Sequence, residues 1–122
     1  MTFSILLIQP VASHVEFLKD RLEGMGFDVV IAHTEMEAVN VLCRREETTP
    51  IGGILYDADA NQHRNDVPTW SRLFPHIPVI IMSEDPSHAG LVHRFATAKF
   101  LSKPVDVDAL RNICLATFVM RD

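Results

Sequence analysis

Short, continuous apolar runs alternate along this chain with stretches in which apolar residues recur every three or four positions. A short apolar run bounded by turn residues is typical of a strand buried on both faces, as in a parallel sheet. The pattern predicts five such strands, at Ser4–Ile8, Asp28–His33, Ile51–Asp57, Ile77–Ser83 and Phe100–Pro104.

The stretches between and after the strands predict five amphipathic helices. A capping box at Thr34–Glu37 begins the second helix, Asp66 is the candidate N-cap of the third, and Pro86 and Gly90 weaken the pattern of the fourth. Strands alternating with helices predict an α/β fold, a doubly wound parallel sheet with right-handed crossovers. The expected inward residues are Val11, Val15, Leu18, Leu22 and Met25, then Met36, Val39, Leu42 and Cys43, then Val67, Trp70, Leu73 and Phe74, then Leu91, Val92 and Phe95, and finally Leu110, Ile113, Cys114 and Thr117.

Length and charge narrow the class of protein. The 122 residues are enough for a single domain, spanning residues 1–122, with a core of its own. The net charge of −5 argues against direct contact with nucleic acid or with an anionic membrane surface. No apolar run approaches the ~18 residues of a membrane-spanning helix, and no basic segment precedes the first strand.

Cysteine and histidine usage adds two expectations. Cys43 and Cys114 show no metal-binding spacing, which indicates a reduced, cytoplasmic setting. The six histidines show no pairing at helical or strand spacing, so we expect them in solvent rather than on a metal ion.

Three polar residues follow three of the predicted strands. Asp57, Ser83 and Lys103 each stand at the carboxyl end of a strand, where open α/β sheets carry their functional groups. Together they suit a phosphorylatable acid. The carboxylate is the nucleophile, and the hydroxyl and ammonium groups bind phosphoryl oxygens.

With these residues at these strand ends, the chain resembles the receiver domain of two-component response regulators over essentially its whole length. The resemblance implies a flavodoxin-like sheet in the order 2-1-3-4-5. It also implies that Asp57 is the phosphoacceptor, Ser83 the switch hydroxyl and Lys103 the phosphate-contacting lysine. Phe100 matches the aromatic residue whose rotamer changes together with the position of the switch hydroxyl. The Lys103–Pro104 peptide bond is expected to be cis.

The sequence departs from the receiver pattern after its first strand. Receivers carry there an acidic pair that holds Mg²⁺, and this chain has Gln9 and Pro10. Because Mg²⁺ prefers carboxylate ligands in octahedral geometry and Pro10 offers no side-chain ligand, we expect no metal or other cofactor. A substitute carboxylate could come from Asp59 or Glu84, which leaves Asp57 and Asp59 as the remaining metal candidates.

These observations predict a degenerate receiver, a signalling module rather than an enzyme, which works by protein–protein contact with aspartyl phosphorylation weak or lost. It is expected to be the N-terminal part of a longer bacterial regulator, since no terminating signal follows the last helix. The alternative is a working receiver that takes phosphate on Asp57 from a histidine kinase, with Mg²⁺ held by Asp57, a backbone carbonyl and Asp59. A third hypothesis is a small flavodoxin-like enzyme or nucleotide binder, disfavoured because no glycine-rich loop follows the first strand.

The resemblance also implies partners. These are a sensor histidine kinase or another signalling protein, and a downstream effector domain, for example for transcription regulation, in the full-length chain. Receivers often self-associate through the fourth helix, fifth strand and fifth helix, so we expect a weak homodimer that salt loosens. That face carries charges of both signs, on His88, His93, Arg94, Lys99, Asp106, Asp108 and Arg111.

Overall fold

The computed structural model describes residues 4–9, 12–45, 50–60 and 67–118. Five parallel strands form one sheet in the order β2-β1-β3-β4-β5, which confirms the predicted fold class and strand order. The strands are β1 (Ser4–Ile8), β2 (Asp28–Ala32), β3 (Ile51–Asp57), β4 (Val79–Ser83) and β5 (Ala98–Ser102).

The interior strand β1, between β2 and β3, shows why its sequence is apolar throughout. Successive side chains of a strand point to opposite faces of the sheet, and here both faces are covered. Leu6 and Ile8 enter one core, which α2 (Glu35–Arg45) and α3 (Thr69–Leu73) cover. Ile5 and Leu7 enter the other core, beneath α1 (Ala12–Gly24) and α4 (Val107–Thr117).

The connection between β4 and β5 differs from the prediction. In place of a fourth α-helix, the chain forms a 3₁₀ helix over Pro86–Arg94, so that prediction was wrong. Asp85 caps this segment, its carboxylate accepting a hydrogen bond from the Ser87 N–H at 2.9 Å. Gly90 lowers α-helix propensity within the segment, and 3₁₀ geometry is common in such connectors.

The second helix buries Leu42 and packs Val39 against the core as predicted, but the rest of its inward face differs from the one expected. Ala38 and Leu42 are buried, whereas Met36 is 76% exposed and Cys43 is also exposed. Residues four apart lie on one side of a helix, and with Ala38 and Leu42 inward, positions 36 and 43 fall on its outer half. The predicted capping hydroxyl is present, because the Glu37 N–H donates to Thr34 Oγ1 at 3.1 Å.

The third helix is only five residues long, which limits what it can bury. Trp70 and Phe74 lie in the core as predicted, but Leu73 is 56% exposed because a single turn cannot direct three large side chains to the sheet. The helix begins after Pro68 without a side-chain cap, and the predicted cap Asp66 lies outside the described residues. Within those residues, no helix is long and apolar enough to cross a membrane.

Gly53 in β3 permits the close approach of Phe118, which follows α4. A Cβ atom at position 53 would lie 2.3 Å from the ring of Phe118, which is 1% exposed and stacks edge-to-face against Phe27. We therefore expect Gly53→Ala to lower the free energy of unfolding by about 1–3 kcal/mol, the usual cost of overpacking a core.

Urea unfolding measures this effect, with Gly24→Ala as the matched control. Gly24 ends α1, and a Cβ atom added there would have nothing within 4 Å, so its substitution should be neutral or slightly stabilising. Equal stabilities of the two variants would contradict the packing described for Gly53.

Candidate functional site

The three residues singled out at strand ends lie together at the carboxyl edge of the sheet. Asp57 ends β3, Ser83 ends β4 and Lys103 directly follows β5. The backbone joins the last two, since the Lys103 N–H donates to the Ser83 carbonyl at 2.9 Å. Lys103 reaches across β4 to Asp57, with 2.7 Å between Nζ and Oδ2.

Both carboxylate oxygens of Asp57 accept hydrogen bonds. Oδ2 accepts from Gln9 Nε2 at 2.5 Å and from Lys103 Nζ at 2.7 Å, and Oδ1 accepts from the Asp59 N–H at 3.0 Å. Gln9 is 1% exposed, and its backbone N–H donates to the Ala32 carbonyl, which fixes it between the ends of β1 and β2. Gln9 is thus an amide donor to Asp57, and its neighbour Pro10 lies outside the described residues.

The ammonium group of Lys103 lies between two carboxylates. Besides Asp57 it contacts Asp59, with 3.0 Å between Nζ and Oδ2. Partial burial acts to lower the pKa of Lys103, but the hydrogen bonds to Asp57 and Asp59 outweigh it and raise the pKa above its ordinary value of 10.5. Lys103 therefore stays charged at neutral pH and is the cation of this site.

Asp59 is held by three donors from two parts of the chain. It lies in a 3₁₀ turn, Ala58–Ala60, directly after β3. Its Oδ1 accepts from Ser83 Oγ at 2.5 Å, and its Oδ2 accepts from the Glu84 N–H at 2.9 Å and from Lys103. Burial acts to raise the pKa of Asp59, but the hydrogen bonds from Ser83, Glu84 and Lys103 outweigh it and hold the pKa below 3.8.

The hydroxyl group of Ser83 has three hydrogen-bond partners. Besides Asp59, Ser83 Oγ lies 3.0 Å from the Asp85 N–H and 2.6 Å from His88 Nδ1. An ionised Asp59 can only accept, so the single hydroxyl hydrogen goes to Asp59 and His88 Nδ1 carries the hydrogen that it donates to Ser83. Ser83 then donates once and accepts twice, which is the full capacity of a hydroxyl group.

His88 corrects the expectation that the histidines lie in solvent. It is 5% exposed, within the 3₁₀ helix Pro86–Arg94, whereas His14, His33, His76 and His93 are exposed. The spacing of the histidines along the chain did not predict that His88 lies beside Ser83, because this contact depends on the 3₁₀ helix Pro86–Arg94. The available signal was its position five residues after a strand-end hydroxyl.

The remaining candidates take other positions. Phe100 in β5 is half-buried and packs against the core on the α2–α3 face of the sheet. Glu84 contributes its backbone N–H to Asp59, while its side chain is exposed. The predicted cis peptide bond at Lys103–Pro104 is confirmed.

The donor set does not fit Mg²⁺. The ion requires several oxygen ligands in octahedral geometry, but Lys103 Nζ occupies the space between the carboxylates of Asp57 and Asp59. The Gln9 amide presents a nitrogen donor rather than an oxygen to Asp57. In the part of the chain that the structure describes, no three acidic, histidine or cysteine side chains are grouped so that they could hold a metal ion.

The fold of this chain is that of receiver domains in solved structures. The response regulator receiver protein from Burkholderia phymatum matches with a TM-score of 0.76 and 18% identity, covering 93% of each chain. The receiver domain of the Saccharomyces cerevisiae response regulator Ssk1, co-crystallised with the histidine phosphotransfer protein Ypd1, matches with a TM-score of 0.71 and 14% identity, covering 99% of this chain and 95% of that one.

A third match is the receiver domain of the sensor histidine kinase PA1611 from Pseudomonas aeruginosa, which holds a coordinated magnesium ion in its active-site cleft. Its TM-score is 0.67 with 16% identity, covering 98% of this chain and 100% of that one. No family model and no curated protein matches the sequence.

The hydrogen bonds to Asp59 predict an acid-sensitive contribution to stability. Because folding holds the pKa of Asp59 below 3.8, this contribution is fully present above that value and is lost as the pH falls through the lower, folded-state pKa. Asp59→Asn lacks the ionisable group, so the difference in thermal midpoint between wild type and variant should shrink as the pH falls from about 4 to about 2.

Thermal unfolding across that range measures the difference, and Asp20→Asn, at an exposed position of α1, is the matched loss of a carboxylate. A difference for Asp59→Asn that stays constant with pH would contradict the stabilising role of these hydrogen bonds.

Proposed function

We propose that this chain is an atypical receiver module of two-component signalling that acts through protein contacts, with phosphorylation of Asp57 weak or lost. Its fold matches receiver domains, and its site keeps an aspartate, a hydroxyl and a lysine at the ends of β3, β4 and β5. The proposal is therefore for an interaction module rather than an enzyme.

The observation that carries the proposal is the position of Lys103 between Asp57 and Asp59, at 2.7 Å and 3.0 Å. Phosphoryl transfer depends on cations that offset charge on the transferred group and on a nucleophile free to attack. Here one ammonium group is already shared between two carboxylates, and Gln9 adds a hydrogen bond to Asp57 without adding charge. Asp57 is therefore a poor phosphoryl acceptor in this arrangement.

A surface beside the site supports action through contacts. A groove of about 250 Å³ opens between α1 and the connection that follows β5, lined by His14, Phe17, Leu18, Met82 and Val105 together with site residues. Phe17 is 41% exposed, with the Arg21 guanidinium 5.0 Å from the centre of its ring. An exposed aromatic beside an apolar groove is the kind of surface that a protein partner covers. A histidine kinase or phosphotransfer protein is the partner class, by analogy with the Ssk1–Ypd1 complex.

Treatment with acetyl phosphate and Mg²⁺, followed by intact mass measurement, tests the proposal. We expect little or no phosphoryl adduct on the wild type, no more than on the Asp57→Asn control. Titration with Mg²⁺ should likewise give no saturable binding in the low-millimolar range, because Lys103 holds the carboxylates.

Gln9→Asp with Pro10→Asp is the gain-of-function variant, and it should bind Mg²⁺ saturably, since two added carboxylates supply charge that the site lacks. A stoichiometric adduct on the wild type that Asp57→Asn abolishes would overturn the proposal and establish a working receiver.

The face formed by the 3₁₀ helix Pro86–Arg94, β5 and α4 predicts a weak homodimer. Its exposed charges have both signs, including Arg94, Lys99, Asp106 and Asp108, although His88 is buried and does not belong to this face. Exposed ion pairs are screened by salt, so sedimentation velocity at low salt should show concentration-dependent association that added salt loosens.

Lys99→Glu should weaken that association, and Lys19→Glu on α1 is the charge-matched control outside the face. A strict monomer at high concentration and low salt would contradict the prediction.

A further inference from the structure

Three donors of different chemistry converge on the carboxylate of Asp59. Ser83 Oγ donates at 2.5 Å, the Glu84 backbone N–H at 2.9 Å and the Lys103 ammonium at 3.0 Å. A hydroxyl, a backbone amide and an ammonium group aimed at one place are a set that binds an oxyanion. In this chain the oxyanion is one of its own side chains.

We propose that Asp59 is a built-in ligand of an anion site formed by Ser83, the Glu84 N–H and Lys103, and that the site accepts a small oxyanion such as phosphate once this carboxylate is removed. The inference deepens the proposed function, on which its signalling meaning rests. Because Asp59 belongs to the same chain, it occupies the anion site whether or not a phosphoryl donor is present.

The backbone holds Asp59 in this position. Its own N–H donates to Asp57 Oδ1 at 3.0 Å, which locks the 3₁₀ turn Ala58–Ala60 to the end of β3. The carboxylate thereby competes as a tethered group, at a high effective concentration, with any free anion for the same donors. The pKa of Asp59, held below its ordinary value, keeps this ligand ionised at neutral pH.

The site is reachable from solvent. The side chain of Asp59 is 28% exposed and that of Lys103 is 15% exposed, whereas Asp57 is 3% exposed. Removing the Asp59 carboxylate would open a place on the solvent-exposed side of the site. Ser83, Glu84 and Lys103 border that place.

The charge of Asp57 must be considered in the design of the test. With Asp59 removed, Lys103 still pairs with Asp57 at 2.7 Å, and the Asp57 carboxylate would repel a phosphate ion. Asp57→Asn keeps the shape of the side chain and removes that repulsion. It also leaves Asp59 in place, so it serves as the parent for every further variant.

The test compares two charge-matched double variants in titrations with inorganic phosphate, followed through the backbone amide signals of residues 59 and 84 in ¹H–¹⁵N spectra. Asp57→Asn with Asp59→Ala opens the site. Asp57→Asn with Glu84→Gln removes the same charge from an exposed neighbouring side chain and leaves Asp59 bound. We expect saturable binding to the first variant, at least about tenfold tighter than to the second, because one charge-assisted hydrogen bond is worth about that factor.

A thermal readout covers the case of a destabilised variant. A ligand that binds only the folded state raises the unfolding midpoint. Phosphate should therefore raise the midpoint of the open variant more than that of Asp57→Asn with Glu84→Gln, which shares the general stabilisation by phosphate. Asp57→Asn with Asp59→Ser replaces the alanine variant if the latter does not fold.

Each outcome decides the inference. Binding to the open variant alone supports it, whereas binding to neither variant, or equal binding to both, overturns it. Failure here is distinct from failure of the proposed function, because these variants lack the Asp57 carboxylate and report nothing on its phosphorylation. The proposed function fails only if the wild type takes a phosphoryl group.

Discussion

A single ammonium group, that of Lys103, joins the ends of β3 and β5 across the buried end of β4. It lies 2.7 Å from Asp57 and 3.0 Å from Asp59, and it is the cation for both carboxylates. Two carboxylates this close would repel each other without it, and the energy of that repulsion is large in a partly buried site. The parallel sheet makes the arrangement possible, because its order places the carboxyl ends of β3, β4 and β5 side by side.

A continuous series of hydrogen bonds that includes these three groups runs along the edge of the sheet. It begins at the Gln9 amide, passes through Asp57, Lys103 and Asp59, and ends at Ser83 and His88. Because Ser83 makes all the hydrogen bonds that a hydroxyl can make, a change of its partners requires the displacement of Asp59, His88 or the Asp85 N–H. The polar groups of the site therefore already satisfy one another's hydrogen bonds.

The sequence predicted those features that depend on regular periodicity. Strands buried on both faces are apolar throughout, as Ile5, Leu6 and Leu7 are, and parallel strands necessarily bring Asp57, Ser83 and Lys103 to one edge. Features set by tertiary contacts were missed. The inward face of α2 depends on which residues the sheet contacts, and the approach of His88 to Ser83 depends on a 3₁₀ turn that no apolar period reveals. Asp59 was considered only as a metal ligand, because nothing in its spacing shows that Lys103 would reach it.

We propose that Lys103, rather than a metal ion, is the cation that pairs with Asp57 and Asp59. A crystal of the wild-type protein grown in excess MnCl₂ and measured near the manganese absorption edge tests this claim most directly, because Mn²⁺ takes the same oxygen ligands as Mg²⁺ and gives an anomalous signal. We expect no anomalous peak within coordination distance of Asp57, with Lys103 Nζ still between the two carboxylates. A peak bound to Asp57 and Asp59, with the Lys103 side chain displaced, would contradict it.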